Sequence, residues 1–93
     1  MSGPGAPTTM AQRRTHVIAG VDTHRDTHTA AALDHNGREL GVAQFPATAR
    51  GYRDLLAWLT GLGVLERVGI EGTGCYGAGL STYLAGRHVQ TLE

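Results

Sequence analysis

The segment Val68–Gly77, VGIEGTGCYG, decides the fold because it joins a short apolar strand to a glycine-rich turn. Glu71 stands directly before the first glycine of that turn. Gly72, Gly74 and Gly77 have the spacing G-x-G-x-x-G, with which dinucleotide-binding domains bring a pyrophosphate to a helix N-terminus. Two interpretations are therefore open: a phosphate-binding turn, or a turn that presents the carboxylate of Glu71.

The dinucleotide-binding interpretation conflicts with the charge and the position of this segment. The Glu71 carboxylate would face the pyrophosphate at the end of the strand, where like charges repel. A dinucleotide fingerprint also opens a βαβαβ series, whereas three extended segments precede this one. The simpler role of the glycines is to let the strand turn sharply into a helix.

The element order predicted along the chain is βββαβαβ, which implies a mixed α/β sheet with helices packed on it. Residues 16–22 form an apolar strand, and residues 27–34 and 39–45 pair as a hairpin around Asn36-Gly37. Thr48 caps a helix that runs to about Leu62. The remaining elements are a strand at 67–71, a helix at 75–87 with Tyr76, Leu80, Tyr83 and Leu84 on its apolar stripe, and a strand at 88–92.

Length and composition limit the chain to one small domain. Its 93 residues contain 41% hydrophobic residues, enough for a single thin core. Residues 1–15 lack apolar periodicity and the apolar region of a secretory signal, so we expect a disordered tail before a domain at 16–93. Eight arginines balance eight acidic residues, which excludes a basic field over the whole domain. Since no apolar run is long enough to span a membrane, we expect a cytoplasmic protein.

Two strands share the pattern glycine, branched apolar residue, acid: Gly20-Val21-Asp22 and Gly69-Ile70-Glu71. A right-handed crossover through the first helix would make these strands parallel neighbours, with both acids at their carboxyl ends. Close carboxylates repel, and a shared divalent cation removes the repulsion. Asp22 and Glu71 are therefore candidate ligands of Mg²⁺ or Mn²⁺, ions that support phosphoryl transfer. The competing interpretation is that each acid only ends a strand and caps a turn.

Other side chains with chemical potential have simpler explanations. Asp22, His24 and His28 lie within seven residues and could bind zinc, but we expect a tight strand connection that displays the histidines to solvent. Cys75 is the single cysteine, which excludes an internal disulfide, and we expect a buried or half-buried free thiol. Trp58 lies beside the apolar stripe of the first helix and is expected to pack there.

Three blocks of the sequence resemble the N-terminal domain of the DEDD transposases of the insertion sequence 110 family, the bridge-RNA-guided recombinases. The blocks are HVIAGVDTHRDTHTAAALDHNGREL at 16–40, FPATARGYRDLLAWL at 45–59 and VGIEGTGCYGAGL at 68–80. They occur in the order and spacing of the family, and the resemblance covers residues 16–93.

The resemblance implies a partial RNase H-like (RuvC-like) fold and a function in DNA transposition. By the same resemblance, Asp22 is the first acid of the DEDD set and Glu71 the second. Both would bind Mg²⁺ (or Mn²⁺) near a DNA phosphate and act in metal-dependent strand cleavage and rejoining. DNA, a guide RNA and further copies of the chain would be the partners. The last two acids and a serine domain lie beyond Glu93 in the family, so we expect a truncated form that is inactive alone.

Three other functions remain open from the sequence. The chain could be a non-catalytic assembly or regulatory module that pairs with an intact transposase. It could also be a dinucleotide-binding unit that uses Gly72, Gly74 and Gly77. An actin-like ATPase or sugar kinase is disfavoured, because its first hairpin cradles phosphates with glycines and Thr23–Thr27 contains none.

Overall fold

The computed structural model describes residues 15–72 and 75–92, in which one five-stranded mixed sheet carries two helices. The elements in chain order are β1 (His16–Thr23), β2 (Thr27–Leu33), β3 (Glu39–Pro46), α1 (Ala49–Leu62), β4 (Val64–Gly72), α2 (Ala78–Gly86) and β5 (Gln90–Leu92). The spatial order of the strands is β3-β2-β1-β4-β5. β2 runs antiparallel to both of its neighbours, whereas β1, β4 and β5 are parallel. The α/β mixed sheet predicted from the sequence is confirmed.

Both helices pack on the same face of the sheet. Alternate residues of β1, from Val17 to Val21, are buried on that face, and the leucines of α1 and α2 complete the core. α1 begins after Thr48, whose hydroxyl accepts a 3.0 Å hydrogen bond from the Gly51 amide, as the sequence predicts. The buried core consists of Val17, Ala19, Val21, Ala30, Ala32, Leu55, Leu59, Val68, Ile70, Leu80 and Leu84. Trp58 packs against this core and contacts Phe45, as expected.

The opposite face of the sheet is left uncovered by the elements in residues 15–72 and 75–92. One row of register partners crosses all five strands on this face: Val42, Ala31, Gly20, Gly69 and Leu92. Val42 and Leu92 are half exposed at the two edges of the sheet, and a methyl group added at Gly20 would meet nothing within 4 Å. The centre of this face therefore carries no side chains at Gly20 and Gly69, and apolar side chains stand at its two edges.

The largest differences from the predicted element boundaries are at the starts of β4 and α2. β4 begins at Val64, three residues early, because the chain leaves α1 directly against the start of β1, where the Val64 amide donates a 2.8 Å hydrogen bond to the Thr15 carbonyl. α2 begins only at Ala78, since residues 75–77 form a turn. Thr15 thus takes part in the fold, whereas residues 1–14 of the predicted tail, and Glu93, lie outside the described residues.

The turn between β2 and β3 is organised by Asp34 rather than by Asn36 and Gly37 alone. The Asp34 carboxylate accepts 2.9 Å hydrogen bonds from the amides of Asn36 and Arg38. These bonds, with that of Arg38 the stronger influence, hold the pKa of Asp34 below its usual range. Gly37 has a positive φ of 84°, but Asn36 does not, so this is not the two-residue turn that Asn-Gly predicts.

Candidate metal centre

Asp22 and Glu71 are register partners at the carboxyl ends of β1 and β4. These strands are parallel, and neighbouring strands lie about 4.8 Å apart. The preceding pair, Val21 and Ile70, is buried against the helices, so the two acids project from the opposite, open face. Both are exposed to solvent. The repeated Gly-apolar-acid pattern therefore corresponds to three successive pairs of register partners, the last of which is the pair of acids.

This pair of carboxylates has the chemistry of a site for a hard divalent cation. Carboxylate oxygens are the ligands that Mg²⁺ and Mn²⁺ prefer, and Mg²⁺ keeps several waters when few protein groups bind it. No cluster of three or more histidine, cysteine or acidic side chains suited to a metal occurs within residues 15–72 and 75–92. Asp22 and Glu71 would thus supply part of a coordination shell and leave the other positions to water or to phosphate oxygens.

Thr23 holds the two strand ends in register from the buried side. Its side chain is 4% exposed, and its hydroxyl donates a 2.8 Å hydrogen bond to the Glu71 carbonyl. Gly77 passes so close that an added methyl carbon would lie 2.7 Å from Ile70 and 3.5 Å from Thr23. Sequence reasoning assigned Thr23 no role. The signal was present in the alternation of β1, which places Thr23 on the same face as Val21.

The zinc interpretation of Asp22, His24 and His28 is not supported by their positions. His24 is exposed, and its Nδ1 lies 3.9 Å from an Asp22 carboxylate oxygen. His28 is fully buried, because its register partner is Thr23 and it therefore faces the helices. The expectation that both histidines face solvent was wrong for His28.

The His28 ring is fully buried on the face of the sheet that carries the helices. Its Nδ1 lies 3.1 Å from the Thr27 carbonyl oxygen, which only accepts, so Nδ1 carries the proton. Its Nε2 has no hydrogen-bond partner among the described residues, and the ring stacks on Tyr52 at a centroid distance of 5.8 Å. Burial is the main cause that lowers the pKa of His28.

An open cleft of about 570 Å³ adjoins Asp22. It is lined by the end of β1 with Gly72, by the turn from His24 to Thr27, and by Tyr76. Tyr76 is 44% exposed, which corrects the prediction that it lies on the apolar stripe of α2. The reason is the late start of that helix, which leaves Tyr76 in the preceding turn.

A smaller cavity of about 300 Å³ lies on the Glu71 side of the same strand end. Cys75 borders this cavity and is exposed, so the expectation of a buried or half-buried thiol was wrong. Among the fingerprint glycines, Gly72 ends β4 with a φ of 140° and Gly77 precedes α2. Gly74 lies outside the described residues, as does Thr73.

An α/β sheet with paired acids at the ends of two parallel strands belongs to the class of folds that place a site at this edge. The family model of the DEDD transposases of insertion sequence 110, described as "Transposase", matches residues 19–93, and the chain belongs to this transposase family. No curated protein matches the chain.

Family membership confirms the resemblance seen in the three sequence blocks and favours a transposase over a dinucleotide-binding protein. It implies DNA as a binding partner and agrees with the use of a divalent metal, for which Asp22 and Glu71 are suitable ligands. Neither helix in residues 15–72 and 75–92 has the length and apolarity to cross a bilayer.

Proposed function

We propose that this chain provides the first two acids of the metal-dependent site with which a transposase cleaves and rejoins DNA strands. The observation that carries the proposal is the register pairing of Asp22 with Glu71 on the open face of the sheet. At this position the two carboxylates can contact one ion while its remaining positions stay accessible to a DNA phosphate. The family match over residues 19–93 supports DNA as the substrate.

The chemistry of the bound ion would be Lewis-acid stabilisation of charge on a phosphoryl oxygen. The protein's own contribution is to hold two negative charges side by side, which costs electrostatic energy without a cation. Thr23 supports that arrangement by tying the Glu71 backbone to β1, so the second ligand has a defined position. A phosphate reaching the open face would meet both acids without passing the hydrophobic core.

Complete strand transfer requires more groups than these two acids. In the DEDD family the set has four acids, so we propose that Asp22 and Glu71 bind the ion but do not suffice for strand exchange. A guide RNA and additional copies of the chain are proposed partners on the same family ground. The chain by itself is expected to bind Mg²⁺ or Mn²⁺ weakly and to leave DNA uncut.

A direct test is paramagnetic broadening by Mn²⁺ in nuclear magnetic resonance spectra of the ¹⁵N-labelled chain. The amide signals of Asp22 and Glu71 should broaden first, and Asp22→Asn or Glu71→Gln should abolish that selectivity. Asp54→Asn on the exposed side of α1 is the matched control and should leave the broadening unchanged. Broadening spread evenly over the exposed acids would exclude the metal site and favour the non-catalytic assembly module.

The catalytic part of the proposal is tested in a full-length homologue that transposes. Alanine at the position equivalent to Asp22 or Glu71 should reduce recombination to background, since each variant loses an ion ligand. Retained recombination in both variants would contradict the assignment.

A further inference from the structure

Tyr76 differs from every other aromatic side chain in the described residues because it has no aromatic partner. Phe45 contacts Trp58, and Tyr52 contacts both His28 and Tyr83. Tyr76 instead stands 44% exposed after β4, where it borders the cleft next to Asp22. Its ring is available to an external planar group without any repacking of the core.

The β1–β2 turn, which lines the same cleft as Tyr76, carries positive charge at Arg25. Arg25 is exposed and makes no hydrogen bond or ion pair within residues 15–72 and 75–92. The turn that bears it is closed by a 2.9 Å hydrogen bond from the His24 amide to the Thr27 carbonyl. A second 2.9 Å bond, from the Ala47 amide to the Asp26 carbonyl, attaches the turn to the start of α1. Arg25 therefore projects from backbone that is already ordered.

The cleft has the size and polarity of a small-ligand site. Its volume of about 570 Å³ lies within the range of about 300–1,000 Å³ that small-molecule pockets occupy. Guanidinium and imidazole groups, from Arg25 and His24, suit a phosphate, while the ring of Tyr76 suits a nucleobase. A single nucleotide unit carries both groups.

The charge of the cleft imposes a condition on such a ligand. Two carboxylates, Asp22 and Asp26, belong to its lining, and Glu71 is the neighbour of Asp22. Together these acids outweigh the one guanidinium of Arg25, so a phosphate is repelled until a cation neutralises the acids. Phosphate and cation should therefore bind with positive coupling.

We infer that the cleft lined by Tyr76 and Arg25 is a nucleotide subsite that positions one unpaired DNA nucleotide beside the metal pair. Tyr76 stacks on the base, Arg25 and His24 contact its phosphate, and occupancy depends on a divalent cation at Asp22 and Glu71. The contact is independent of base identity, because every base presents a face on which an aromatic ring can stack. Tyr76 and Arg25 are thus positioning residues, and the inference rests on the proposed function.

The test titrates the ¹⁵N-labelled chain with a single-stranded DNA hexamer, with Mg²⁺ and with a chelator. Signals of Arg25 and Tyr76 should shift in Mg²⁺, and the affinity should fall at least tenfold in chelator. A hexamer with one abasic position and a free mononucleotide serve as further titrants. The abasic hexamer should bind as the intact one does, through its other bases, and the mononucleotide should shift the same two signals at higher concentration.

Variants separate stacking from charge. Tyr76→Ala should lower the affinity for the hexamer about tenfold, whereas Tyr76→Phe should bind the hexamer as the unchanged chain does. Arg25→Ala should weaken binding, and Arg53→Ala on the exposed side of α1 is the matched control without effect. Because these side chains are exposed, the fold is expected to survive, and shift mapping on the unchanged chain gives a readout that needs no variant.

The outcomes separate this inference from the proposed function. Selective Mn²⁺ broadening at Asp22 and Glu71 without DNA shifts at Arg25 and Tyr76 would overturn the subsite and leave the metal site intact. Equal affinity of Tyr76→Ala and the unchanged chain, or equal affinity in Mg²⁺ and chelator, would also overturn the subsite. If the unchanged chain shows no selective Mn²⁺ broadening at Asp22 and Glu71, the proposed function is rejected, whatever the DNA titration shows.

Discussion

The hydroxyl of Thr23 donates a 2.8 Å hydrogen bond to the backbone carbonyl of Glu71, and this contact joins the ends of β1 and β4. Thr23→Val should lower the free energy of unfolding by about 1 kcal/mol, since it removes the donor and keeps the shape. Thr23→Ser keeps the hydroxyl and should lose less. Urea denaturation of the three proteins measures the difference, and equal stability of the valine variant would show that the bond contributes nothing.

Gly51 is required where the first turn of α1 passes over Pro46. A Cβ at Gly51 would overlap the carbonyl oxygen of Pro46, which is backbone and cannot move aside. Gly51→Ala should therefore destabilise the fold by about 1–3 kcal/mol. Gly61→Ala is the matched control in the same helix, where nothing lies within 4 Å, and it should stabilise by up to about 1 kcal/mol. Thermal unfolding that ranks the two variants in the opposite order would contradict this account.

His28 should make stability depend on pH in the weakly acidic range. Burial lowers its pKa in the folded chain below the ordinary 6.5, so the unfolded chain binds a proton that the folded chain does not. The contribution of His28 to the free energy of unfolding is complete above pH 6.5. It is lost as the pH falls through the lower pKa of the folded state. Unfolding free energies should therefore fall as the pH is lowered from 8 to 5.

The variant His28→Phe isolates this effect, because a phenyl ring can keep the stack on Tyr52 and cannot titrate. Its stability should vary less with pH just below 6.5 than that of the unchanged chain. The carboxylate of Asp34 acts in a separate window, since its pKa lies below 3.8 and its contribution is lost only as the pH falls further. An unchanged profile in His28→Phe would assign the pH dependence to other groups.

The effect of Asp22→Asn on the melting temperature should change sign when a divalent metal is added, because Asp22 and Glu71 lie side by side. Without divalent cations, Asp22→Asn removes repulsion toward Glu71 and should raise the melting temperature slightly. With Mg²⁺ well above its dissociation constant, the unchanged chain gains RT ln(1 + [L]/Kd), about 2.7 kcal/mol at a hundredfold excess over Kd, and should exceed the variant. Differential scanning fluorimetry with and without Mg²⁺ shows the crossover, and parallel curves for the two proteins would argue against a shared ion.

The pairing of Asp22 with Glu71 was accessible to sequence reasoning because two physical rules determine it. The Gly-apolar-acid repeat marks equivalent positions on two strands, and right-handed crossover makes those strands parallel neighbours. The burial of His28 was not accessible in this way. β2 reads THTAAAL, with small residues on both faces, so its alternation does not say which face meets the helices.

The exposure of Tyr76 and Cys75 depended on a helix start that the sequence leaves ambiguous. Apolar spacing continues back from Leu80 to Tyr76, yet the chain turns through residues 75–77 before α2 begins. Gly77, which passes close to Ile70 and Thr23, ends that turn. Local backbone approach of this kind outweighs periodicity at a helix terminus, where boundary predictions are least secure.

The bond from the Ala47 amide to the Asp26 carbonyl links the β1–β2 turn to the residue just before the Thr48 cap of α1. Fraying at the first turn of the helix therefore releases the turn that bears Arg25, and the two segments should open as one cooperative unit. Amide hydrogen exchange should then give Ala47, Gly51 and His24 a common opening free energy. A substitution in the helix cap, far from the acids in sequence, would in this way set how often the wall of the cleft is in place.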